Sequence, residues 1–127
     1  MQDEPRPPEV LAAVARFLRD VVAPETTGHV NFNVRVAANA LEMMRRQLEL
    51  APAAEAAELE RLRAILGMDG DLLQLNAEFC RRLETGAIDP GGEPVRAHLW
   101  DTTLAKLAVD QPNYWGYRAA LAERVPT

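Results

Sequence analysis

Apolar residues recur along this chain at three- and four-residue spacings, in blocks separated by Pro, Gly and Asp. Val10, Val14, Phe17 and Val21, with Leu11, Leu18 and Val22 beside them, predict a first amphipathic helix from about Pro8 to Val22. Pro8 suits a first helical position and Glu9 suits the positive end of the helix dipole. Pro24 ends this helix, and residues 24–30, PETTGHV, read as a loop. A second helix is expected from roughly Asn31 to Leu50. Phe32, Val36, Met43 and Leu50 form one apolar stripe on it, and Val34, Ala37, Leu41, Met44 and Leu48 form another. Together they cover roughly 200° of arc, more than a surface helix needs, so this helix should be central and covered on two sides.

The pattern continues through residues 52–66, where Leu59, Leu62, Ile65 and Leu66 face inward and Gly67 is the stop. Almost no loop separates this third helix from the second, so the two form either a tight hairpin or one bent rod. Asp69-Gly70-Asp71 reads as a turn with a helix N-cap. Leu72, Leu75, Phe79 and Leu83 then mark a fourth helix ending near Gly86. Residues 86–94, GAIDPGGEP, are the most flexible connection. A fifth helix runs from about Pro94 to Asp110 around Trp100, Leu104 and Leu107. The tail from Asn113 to Val125 has room for a short sixth. No strand pattern or internal repeat is present. The expected fold is all-α, a single-domain bundle of five or six helices around helix 2, spanning residues 1–127 with 1–7 flexible.

A chain of 127 residues fits one domain with one core. Its net charge of −5 repels phosphate backbones and anionic membrane surfaces, so neither nucleic acid nor membrane is an expected partner. The N-terminus MQDEPRPP has neither the basic nor the apolar region of a signal peptide, and no stretch matches a membrane span. The single cysteine, Cys80, fits a reducing cytoplasm and reads as a small core hydrophobe, because NAEFCRRLE supplies no activating neighbour.

Chemistry-bearing motifs are absent: there is no GxSxG, Walker A, GxGxxG or HExxH. Asp69 and Asp71 begin like a calcium loop, but Leu73, Leu75 and Ala77 occupy the later ligand positions. His29 and His98 are the only histidines, too few for a dedicated zinc site. Neither catalytic residues nor a metal or cofactor is expected. Two polar groupings remain. His98, Thr102, Lys106 and Asp110 step by four along the fifth helix, and Arg35 and Asn39 lie one turn apart on the second. Arg35, Asn39, His98 and Lys106 could hold an acid or acyl ligand; the plainer reading makes them solvated faces and loop partners. Tyr114, Trp115 and Tyr117 crowd three rings into four residues after Pro112, which stops the helix. At least one should face outward, and such rings suit an interface.

RVAANAL (35–41), GDLLQLNAEFC (70–80) and HLWDTTLAKLAVDQPNYWGY (98–117) resemble a bacterial all-helical family known only as a domain of unknown function. That resemblance implies genes beside, or fused to, aminoglycoside-phosphotransferase-like kinases, with acyl-CoA dehydrogenases nearby. It implies no catalytic residue. The expectation is therefore a cytoplasmic, non-catalytic accessory or interaction domain whose partner is a second copy or a kinase-like protein in acyl-CoA metabolism. The alternative is a small acid- or acyl-binding helical protein.

Overall fold

The computed structural model describes residues 3–124. Met1 and Gln2 of the expected flexible start, and Val125 of the expected sixth helix, lie outside the described residues. Five α-helices are found and, among the described residues, no strand: α1 Pro7–Phe17, α2 Gly28–Leu66, α3 Leu72–Glu84, α4 Glu93–Asp110 and α5 Trp115–Glu123. None is long and apolar enough to cross a membrane.

The all-α expectation holds, and two of its boundaries change. The first predicted helix is α-helical only to Phe17. Leu18–Val22 then form a π-helical turn and Ala23–Glu25 a 3₁₀ turn carrying Pro24. The predicted second and third helices are one element, the 39-residue α2. Pro52 sits inside it. Proline there removes one backbone N–H and crowds the carbonyl four residues back, that of Leu48, yet the helix continues. Of the two arrangements expected for these helices, the tight hairpin is excluded and the single rod is found, because the strong helix formers on either side outweigh the proline.

Two compact units divide the chain, residues 1–50 and 51–127. In the first, α1 and the leading part of α2 form a hairpin closed by Asn31. Its amide donates to the carbonyls of Ala23 at 2.5 Å and Thr26 at 3.2 Å. A groove between the two helices is lined by Pro8, Glu9, Ala12 and Arg16 of α1, by Arg19 of the π-helical turn, and by Glu42, Arg45 and Glu49 of α2. The start of α1 therefore lies beside residue 49, and the helices run antiparallel. Among the described residues of this unit, only Ala15, Ala23 and Ala38 are fully buried. Phe32 is 64% exposed and Val36 49%. Within this unit, then, α2 leaves both predicted stripes partly in water: Phe32, Val36 and Leu50 of the first are exposed, and so are Met44 and Leu48 of the second.

The second unit holds the hydrophobic core. Leu62, Leu66, Leu75, Phe79 and Val95 are buried, with Leu59, Ile65, Leu72, Leu83 and Ile88 packed around them. All but Val95 and Ile88 are inward positions predicted for residues 52–84. α3 opens on a capping box: the Asp71 carboxylate accepts from the Gln74 N–H at 2.8 Å, and the Gln74 side chain accepts from the Asp71 N–H at 3.1 Å. Gly67, with φ at +65°, ends α2 in the left-handed conformation that a Cβ would strain. On α4, Leu104 is buried, but Trp100, predicted to be central to that helix, is 51% exposed.

Candidate interaction surface

Pro112 follows the last turn of α4. Gln111 leaves the helix at φ −135° and ψ 63°, and Trp115 starts α5. This turn is what presents the aromatic cluster. Trp115 is 76% exposed, Tyr114 is exposed and Tyr117 half-buried. The Tyr114 and Trp115 rings pair at 5.6 Å with a 55° tilt. Gly116 makes room for the pair. A Cβ built there would lie 2.7 Å from Tyr114 Cε1, closer than atoms can approach. The order Tyr-Trp-Gly-Tyr thus lets the Tyr114 ring lie over a residue without a side chain while it pairs with Trp115. Among the exposed large apolar residues of this unit are Leu99, Trp100, Tyr114, Trp115 and Leu121, all on or between α4 and α5.

An open groove of about 870 Å³ runs along α4. Leu99 and Trp100 are its apolar lining, and Glu93, Arg96, Asp101 and Arg124 its charged one. Its charges pair among themselves: Arg124 donates to Asp101, joining the end of α5 to α4, and Arg96 lies 4.0 Å from Glu93. Arg124 is thus engaged with a carboxylate, while Arg96 lies exposed and only loosely beside Glu93.

The four residues considered for ligand binding have different environments. Arg35 is exposed and donates from Nε to Asn31 Oδ1 at 3.0 Å, while Asn39 lies exposed one turn on. Lys106 is exposed on α4, but His98 is 1% exposed, its ring edge-on to Phe79 at 5.0 Å. The four-residue ridge of α4 therefore does not stay in solvent, because its drift around the helix carries His98 into the core and leaves Lys106 outside. Burial pushes the His98 imidazole below its ordinary value. The Arg61 charge adds to this, while Glu58 and Asp101 oppose it. Arg61 also donates to Thr102 Oγ1 at 3.3 Å, and Asn76 donates to Glu58 at 2.9 Å, so α2, α3 and α4 share a band of polar side chains. Sequence reasoning missed this band, since Glu58, Arg61 and Asn76 look like ordinary surface positions on their own helices.

Cys80 is exposed, against the expectation of a core thiol. It follows buried Phe79 by one residue, and one residue is 100° of helical rotation, enough to leave the core. Among the described residues, no three His, Cys, Asp or Glu side chains gather as metal ligands would.

A family model described as domain of unknown function (DUF6285) matches residues 24–114, well over half of the chain. The chain belongs to the DUF6285 family. No curated protein and no solved structure matches it. The DUF6285 span contains all of α2, α3 and α4, and with them Arg35, Asn39, His98 and Lys106. It ends at Tyr114, so α1 precedes it and Trp115 and Tyr117 follow it.

Proposed function

We propose that this DUF6285 protein is a non-catalytic accessory domain that acts by binding another protein through the α4–α5 turn. The observation that carries the reading is Trp115, 76% exposed and held against Tyr114 over Gly116. A large ring fixed in water contributes little to its own fold. It offers a partner a rigid anchor at low cost in conformational entropy, as interface hot spots do. The family resemblance carried by RVAANAL and HLWDTTLAKLAVDQPNYWGY points to a phosphotransferase-like small-molecule kinase of acyl-CoA metabolism as that partner. The ligand-binding alternative draws less support. His98 is buried, Arg35 donates to Asn31, and Arg124 of the α4 groove is engaged with Asp101.

Co-purification of the tagged chain with the products of its neighbouring genes tests the reading. A kinase-like protein should be retained by the native chain and lost by the Trp115→Ala, Tyr117→Ala double variant, with the helical circular dichroism signal intact. Retention by the double variant, or no kinase-like protein at all, sinks it.

A further inference from the structure

The hairpin of residues 1–50 turns much of its apolar surface outward. Its fully buried described positions are alanines, Ala15, Ala23 and Ala38, with Leu11, Leu18, Val22, Val34, Leu41 and Met43 half-buried around them. One set of large apolar side chains is exposed on a shared side: Val10 at 42%, Val14 at 42%, Phe17 at 54% and Val21 at 53% on α1 and the turn after it, and Val30 at 58%, Met44 at 47% and Leu48 at 46% on α2, while Phe32, Val36 and Leu50 are exposed elsewhere on α2. The charges are on the other side. Glu9 and Arg16 of α1, Arg19 of the π-helical turn and Glu42, Arg45 and Glu49 of α2 line the groove, where Arg45 bridges Glu42 at 3.1 Å and Glu49 at 2.6 Å. On the helical wheel Val30, Met44 and Leu48 lie roughly opposite Glu42 and Arg46, and Val10, Val14, Phe17 and Val21 lie across α1 from Ala12 and Arg19. Both helices therefore turn an uncharged apolar stripe to the side away from the groove.

We propose that this face is covered by a second copy of the same chain, two hairpins pairing about a two-fold axis into a four-helix bundle. Three observations select a copy over another partner. Two antiparallel helices with one broad apolar face are half of such a bundle, and a two-fold rotation sets the Val-Phe-Met-Leu face against itself. The charge balance permits it: residues 1–50 carry six basic and seven acidic side chains, a net −1, whereas residues 51–127 carry eight and twelve, a net −4. The chain's repulsion for its copy is thus concentrated outside the hairpin. A face without charge also gives an acidic or basic partner nothing to recognise, and leaves shape and apolar area to choose. That area suffices. Seven half-exposed side chains offer on the order of 400 Å² of apolar surface, which with its polar rim gives about 1,200 Å² over both copies, the lower bound for a specific interface.

Sedimentation velocity of the full chain across a wide concentration range reads the result directly. The native chain should sediment at twice its monomer mass, and the Val14→Asp, Met44→Asp double variant at half that value. Arg16→Glu, on the groove side, should leave the mass unchanged. Phe17→Cys in a Cys80→Ser background covers the case in which the charged variant unfolds. Mild oxidation of a mixture with a differently tagged copy should join the two through position 17, and Arg16→Cys should not. A native chain that is monomeric at every concentration, or that forms an assembly other than a pair, overturns the proposal. Because Trp115 is not part of this face, a monomer that still retains the kinase-like partner would leave the proposed function standing. A pair that retains none would do the reverse.

Discussion

Arg82 Nη1, on α3, donates to the carbonyl of Leu66, the last residue of α2, at 3.0 Å. That carbonyl is one of the four that a helix end leaves without an internal partner. The guanidinium is held for the task by Glu78, which accepts from Arg82 Nε at 2.6 Å and from Arg81 at 2.7 and 2.8 Å. The two arginines pull the Glu78 carboxyl down to about 2. Arg82→Met should destabilise the chain by about 1–2 kcal/mol, since it removes a charge-assisted hydrogen bond to a helix terminus. Urea melts give the shift in midpoint. A shift within error would mean that water serves the Leu66 carbonyl equally well.

His98 makes stability depend on pH. Its folded-state value lies below the unfolded value of 6.5, so the unfolded chain takes up the proton first as pH falls. The contribution is complete above about pH 6.5 and declines below it, until the folded imidazole also protonates. His98→Leu should flatten the stability curve between pH 7 and 5 relative to the native chain. Parallel curves for the two proteins would remove His98 as the cause.

Ala38 is 1% exposed within the hairpin, and a larger side chain there has nowhere to go. Ala38→Leu should cost about 1–3 kcal/mol through overpacking. Ala40→Leu, at an exposed position two residues on, should change stability by less than about 0.5 kcal/mol. Thermal melts at matched concentration separate the two, and equal effects would contradict the burial.

Gly116 lies under the Tyr114 ring, with Cε1 2.7 Å from where a Cβ would sit. Gly116→Ala should push Tyr114 off Trp115 while raising the helix propensity of α5 by about 1 kcal/mol. The expected result is a changed near-ultraviolet dichroism and Trp fluorescence with the far-ultraviolet signal kept or slightly increased. An unaltered aromatic spectrum would show that the ring pair does not need the glycine.

Cys80 is exposed, so a thiol reagent should label it in the native chain nearly as fast as in denaturant. Labelling that appears only on unfolding would restore the core assignment.

The sequence reveals the helices better than it reveals which apolar stripes are covered. Leu62, Leu66, Leu75 and Phe79 were legible as core because each recurs at helical spacing beside a polar face, and Asp71 was legible as a cap because it closes the Asp-Gly-Asp turn ahead of that run. The same rule failed at Phe32, Val36 and Trp100. Periodicity reports that a stripe is apolar, and says nothing of whether this chain supplies its cover. Cys80 was misread because hydrophobic type stood in for helical phase, although Phe79 beside it had already fixed that phase. His98 shows the converse error, a polar residue assigned to a solvated ridge although its turn of the helix faces Phe79. Crowding alone made it legible that at least one ring of Tyr114, Trp115 and Tyr117 faces outward, but not that it is Trp115: three rings in four residues could not share one small interior.

The buried alanines of the hairpin have a further consequence. A helix pair whose fully buried residues are alanines, with Leu11, Leu18, Val22, Val34 and Leu41 only half-covered, gains less from its own closure, and its exposed bulky residues contribute only when something else covers them. Once a copy does so, every logarithmic step in protein concentration adds the same increment to the stability of the covered state. The melting temperature of residues 1–50 should then climb with concentration while that of a self-contained core would not. The alanines would thereby make a local property, the order of the first helix, into a measure of how much of the protein the cell contains.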